Sequence, residues 1–175
     1  MANAEATETK SPERLETMTL EELRGRCMEL LSLATNSIEI RQLERALVQI
    51  TEKIDPDSLE GMYGIRIIAR AQDRPAGESC FEYAVGHGID FQAFHDQMFA
   101  THTASATPVP GSYALYFLFN FDIAATHIGK ATDRGTVISK WGPTGYVYEH
   151  NPEMVPLSYG EPLFYVPPTS EAERS

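Results

Sequence analysis

Cysteine, positive charge and long apolar runs are all scarce in this sequence, and each shortage excludes something. Two cysteines among 175 residues, Cys27 and Cys80, do not make a disulfide scaffold. In a reducing compartment each is expected to be a free thiol. Lys and Arg number 14 against 25 Asp and Glu, a formal charge of −11 at pH 7, so a nonspecific hold on nucleic acid or anionic lipid would work against repulsion. No segment approaches the roughly 20 uninterrupted apolar residues of a membrane-spanning helix. The opening MANAEATETKSPERLET has no basic stretch followed by an apolar run, as a secretory signal would. The expectation is a cytoplasmic protein with no nucleic-acid or membrane partner, export without a cleaved signal remaining open. No glycine loop precedes a Lys-Ser or Lys-Thr pair, which leaves no nucleotide-phosphate cradle. His95 and His102 lack a cysteine or carboxylate at matching spacing and make a poor metal site. No cofactor is expected.

What is present divides into an acidic tail over 1–18, a helical hairpin over 19–56, an α+β domain over 61–167 and a second tail over 168–175. Residues 1–18 carry glutamates with almost no large apolar side chain, a composition that predicts disorder. Thr19-Leu20-Glu21-Glu22 reads as a capping box, followed by Leu20, Leu23, Cys27, Leu30, Leu31 and Ala34 on one helical face. Cys27 is therefore expected to be buried. A second helix is predicted from Asn36 or Ser37 to Ile54, with Ile40, Leu43, Leu47, Ile50 and Ile54 on one side and Asp55-Pro56-Asp57 ending it. The two apolar faces cannot both be covered by each other, so the hairpin must pack on the rest of the chain or on a protein partner through residues 19–54.

Beyond residue 61 glycines become frequent, and Met62 to Ala71 fits a helix or a strand equally. Ser79 to Gly86 reads as a helix that begins at Cys80 and stops at glycine; Phe91, Phe94 and Met98 suggest another. Thr101 to Thr107 reads as a polar linker. Strands are predicted at Tyr113–Phe119, 124–131, 136–140 and 162–166, with Thr132-Asp133-Arg134-Gly135 as a hairpin turn. Trp141 is expected in the core, with Lys140-Trp141 as a pocket wall the alternative, and His87 reads as a turn residue.

The chemistry rests on Cys80 and His127. A thiol at a helix N-terminus has its thiolate stabilised by unpaired backbone N–H groups, which lowers its pKa. An imidazole brought beside it would take the thiol proton and return it to a leaving group. A third polar group would fix the imidazole tautomer by accepting its other proton, with Ser139, His150 and, behind them, Asp122 as candidates.

The succession ESCFEYAVGHGI, TPVPGSYALYFLF and ATHIGKATDRGTVISKWG resembles the NlpC-type peptidases of the papain-like cysteine hydrolases and their CHAP amidase relatives, over about residues 76–166. Pro110-Gly111-Ser112 stands where that family has Pro-Gly-Asp, and His127-Ile128-Gly129 where it has His-Val-Gly. The resemblance implies a papain-like α+β fold with the Cys80 helix packed on an antiparallel sheet. It also implies a thiol hydrolase or acyltransferase, a peptidase or amidase, acting on an amide or ester bond through Cys80 and His127. The third residue falls on Ser139 by that alignment, with His150 open. Ser79 before the cysteine and Phe81-Glu82 after it depart from the family's Asp and Ser-Gly. Those departures favour the alternative, a catalytically inactive papain-like domain that serves as a binding module.

Overall fold

Thr19 caps the first helix as its spacing predicts: its side chain accepts from the Glu22 N–H, and the Glu22 carboxylate accepts from the Thr19 N–H at 2.7 Å. The structure, a computed structural model, describes residues 18–118, 125–142 and 144–168. Asp122 and the tails at 1–17 and 169–175 lie outside the described residues. Helix α1 spans Leu20–Leu33, and α2 spans Ser37–Ile54 behind an Asn36 N-cap. Cys27 is buried between them and its thiol donates to the Leu43 carbonyl at 3.1 Å.

The buried face of α2 is rotated from the expected apolar stripe, with Arg45, Leu47, Val48, Thr51 and Glu52 inward and Ile40, Leu43 and Ile50 only half-buried. Arg45 accounts for much of this difference. Its guanidinium, 2% exposed, donates to the Val155 carbonyl at 3.2 Å, to the Gly160 carbonyl and to Glu161. The hairpin is thereby tied to residues more than a hundred positions away, and α2 packs on the sheet through Val48.

A seven-stranded antiparallel sheet forms the centre of the molecule. Its strands are β1 Arg66–Ala69, β2 Thr103–Ser105, β3 Tyr113–Phe117, β4 Ala125–Ala131, β5 Val137–Lys140, β6 Val147–His150 and β7 Glu161–Val166, in the order β1-β6-β5-β4-β3-β7-β2. Four of these match the expected strands. Thr101 to Thr107 is not simply a linker: Thr103–Ser105 pairs with β7 at the sheet edge. Met62 to Ala71 resolves into a short 3₁₀ turn and β1, which pairs with β6.

Alternate residues of each strand point to opposite faces, so the sheet has two cores. One joins Ala114, Tyr116, Val137, Trp141, Tyr148 and Phe164 to Val48 of α2 and to Leu59, Ile65 and Val155. The other joins Leu115, Phe117, Ile128 and Tyr165 to Ala84 of α3 (Cys80–Val85) and Met98 of α4 (Phe91–Thr101). The architecture is thus α+β, with helices over both faces of an antiparallel sheet. No helix among the described residues is long and apolar enough to cross a membrane.

Candidate active site

Ser79 begins α3 with a second capping box: Glu82 N–H donates to Ser79 Oγ at 3.1 Å, and the Glu82 carboxylate accepts from the Ser79 N–H at 2.8 Å. Gly86, at φ 123°, ends the helix one turn later. This fixes Cys80 at the first helical position, against β4. The sulfur lies in range of the backbone N–H groups of Ile128, Phe81 and Cys80 itself, and near the Lys140 ammonium.

Those donors do not produce the depressed pKa expected of a helix-terminal thiol. Burial dominates and pushes the Cys80 thiol up, with the N–H groups and Lys140 pulling weakly the other way. A helix of only six residues has a small dipole, and the apolar neighbours Phe81, Phe94 and Ile128 displace water from the sulfur. The resting group is a neutral thiol.

His127 lies on β4 opposite Tyr116. Its ring is stacked on Tyr159, with centroids 4.0 Å and planes 11° apart, and leans on Tyr116 at 5.4 Å. Nε2 is buried and has no hydrogen-bond partner among the described residues. Burial holds the imidazole well below its ordinary pKa, and the nearby His150 reinforces the shift. Tyr159 belongs to a 3₁₀ turn, Leu157–Tyr159, that Thr126 anchors: the Thr126 hydroxyl lies in reach of the Tyr159 and Tyr116 carbonyls. The Tyr159 hydroxyl accepts from the Gly142 N–H at 2.8 Å.

Cys80 and His127 border the same two cavities. The first, about 50 Å³, is apolar and walled by Phe81, Phe91, Phe94, Met98 and Leu115. The second, about 210 Å³, is bounded by Glu78, Ser79, Thr126, Lys140, Gly142 and Tyr159 as well. It has room for several waters at about 30 Å³ each, enough for a solvent-mediated link between thiol and imidazole.

Ser139 and His150 are close to this site but do not orient His127. Trp141 Nε1 donates to Ser139 Oγ at 2.9 Å, and Ser139 Oγ meets His150 Nε2 at 2.9 Å. His150 Nδ1 lies 2.8 Å from the Asn151 carbonyl, which can only accept. Nδ1 therefore carries the proton, Nε2 accepts from Ser139, and the chain Trp141→Ser139→His150→Asn151 is directional. The single Ser139 proton is used up in it. Burial lowers the His150 pKa to about 4, consistent with the neutral tautomer that the chain requires. Trp141 is a core residue, as expected, while Lys140 lines the cavity.

Sequence reasoning missed Tyr159. A tyrosine in a Pro-Leu-Ser-Tyr-Gly turn gives no periodic signal, and its role depends on Thr126, which is 33 positions away. No family model, curated protein or solved structure matches the chain.

Proposed function

We propose that the protein is a cysteine-dependent hydrolase or acyltransferase acting on an amide or ester bond, with Cys80 as nucleophile and His127 as general base and acid. The observation that carries this reading is a half-buried thiol and a buried imidazole on one cavity, the imidazole Nε2 having no partner among the described residues. A buried nitrogen left unsatisfied is costly, and a functional role explains its retention. The papain-like resemblance supports the same assignment.

In this reading Cys80 Sγ adds to the carbonyl carbon while its proton passes to His127, directly or through a water in the cavity. Contacts of this kind commonly tighten only when substrate is bound. Backbone N–H groups of Cys80 and Ile128, which favour the thiolate, are the candidate donors for the oxyanion. His127 then gives the proton to the departing amine or alcohol as the carbon–heteroatom bond breaks, leaving a thioester on Cys80. Water, deprotonated by His127, or another nucleophile adds to the thioester carbonyl and frees the thiol. Tyr159 holds the imidazole plane, the task expected of Ser139 or His150.

A p-nitrophenyl ester tests this. A covalent acyl group is expected on Cys80 and not Cys27, with release of nitrophenol over many turnovers. His127→Ala should lower turnover about 10²–10⁴-fold, the usual contribution of a positioned acid–base group. The second reading, a papain-like binding module, is favoured by the raised thiol pKa. It would be upheld by a well-folded protein with no Cys80 adduct and no turnover.

A further inference from the structure

We propose that the cleft adjoining Cys80 is a subsite for an anionic group, a carboxylate carried by the substrate, with the Lys140 ammonium as its counter-charge. The inference deepens the hydrolase reading and rests on it for the word substrate; the anion site itself does not need turnover.

Lys140 ends β5 and keeps only 7% exposure. Its Nζ donates to the Glu78 backbone carbonyl, and no carboxylate lies within ion-pair distance of it among the described residues. The two nearby carboxylates are otherwise engaged. Glu78 accepts from Arg74 Nη2 at 2.7 Å and Nε at 3.1 Å, with His87 Nε2 3.1 Å away. Glu52 accepts from Thr144 Oγ1 at 2.6 Å. An ammonium has three protons to donate, and taking it out of water without a paired anion is expensive. Something outside the described fold is the natural partner.

Lys140 borders both the 210 Å³ cavity that holds Cys80 and His127 and a larger cleft of about 460 Å³. Arg74, Gly77, Glu78, Thr144 and Gly145 also line the larger cleft. A volume of 460 Å³ falls within the usual range of small-ligand sites. Among the charged side chains that line the cleft, Arg74 and Glu78 cancel one another and Lys140 supplies one positive charge; Glu52, met only by the neutral Thr144 hydroxyl, does not line it. One charge suits a carboxylate better than a phosphate dianion. Cys80 also lines the small aromatic cavity, so the substrate would carry a small apolar group as well as a carboxylate.

The rates at which Cys80 is alkylated by iodoacetate and by iodoacetamide test the charge. Both reagents consume the same thiolate, so any change in thiol acidity cancels from their ratio. The iodoacetate-to-iodoacetamide ratio is expected to exceed that of a neutral small thiol by about tenfold, the scale of one unscreened charge at close range. Lys140→Gln should return it to the small-thiol value and Lys140→Arg should retain it. A wild-type ratio equal to that of the small thiol overturns the subsite. A second measurement does not depend on the thiol: glutarate should raise the melting temperature more than neutral glutaramide does, and this difference should vanish in Lys140→Gln. Equal shifts with the two compounds overturn the proposal, and a larger shift with inorganic phosphate overturns the assignment to a carboxylate. If Cys80 reacts with neither iodo reagent, the hydrolase reading falls while the melting comparison still decides the subsite.

Discussion

Cys80 is held between opposing influences: apolar packing from Phe81 and Ile128 raises its pKa, while three backbone N–H groups and Lys140 favour the thiolate. His127 and His150 are shifted the other way, toward the neutral ring, by the same loss of solvent. Thiol and imidazole are therefore both neutral at rest, so the proposed reaction would need a proton to move rather than an ion pair to wait. The two histidines also link stability to pH. Both bind protons less readily folded than unfolded, so from the ordinary value near 6.5 down to about 4 the unfolded chain holds more protons. Stability is complete above that window and falls as pH drops through it. Denaturant midpoints measured at pH 7, 5.5 and 4 should decline, with a shallower slope in His150→Gln than in the wild type.

Among the elements, β4 and β5 pack against each other at Gly129 with no space for a side chain. A Cβ there would lie 2.5 Å from Val137 Cγ1, 2.8 Å from Ser139 Cβ and 2.9 Å from the Ile138 carbonyl oxygen. Two of those atoms belong to the sheet framework and cannot swing away. Gly129→Ala is expected to cost about 1–3 kcal/mol, the usual penalty of overpacking, and to disturb the Trp141–Ser139–His150 chain. Urea unfolding would read it, and an unchanged midpoint would contradict it. The glycine after His127 thus has a packing reason independent of any family pattern.

Elements with local signals were legible in the sequence. The Thr19 capping box, the helix start at Cys80, Gly86 at the end of α3 and the Gly135 hairpin each act within a few residues, and each appears in the fold. Strands β1, β2 and β6 were not legible, because segments of three or four residues show no usable alternation and exist only through pairing with distant partners. The site divides in the same way. Cys80 at a helix start and His127 on a strand were readable from local pattern, whereas the saturation of Ser139 and the stacking of Tyr159 are consequences of tertiary arrangement.

At the scale of the whole molecule, the hairpin over 19–56 is part of the structure that carries the site. Val48 shares a core with Trp141 and Tyr148, and Arg45 pins the carbonyls of Val155 and Gly160 on either side of the turn that presents Tyr159. Removing residues 19–54 would uncover one face of the sheet and leave those carbonyls unpaired. The truncated protein should lose its cooperative melting transition; an unchanged melting temperature would mark the hairpin as an independent arm.

The pairing of thiol and imidazole is tested most directly by the rate at which iodoacetamide modifies Cys80 in the wild type and in His127→Ala, measured from pH 6 to 9 with the folded state checked by circular dichroism. If His127 takes the thiol proton as proposed, the wild type should be faster by about tenfold near pH 7, with the difference closing as pH approaches the thiol's own raised pKa. Identical rates across the range in a folded variant would contradict it.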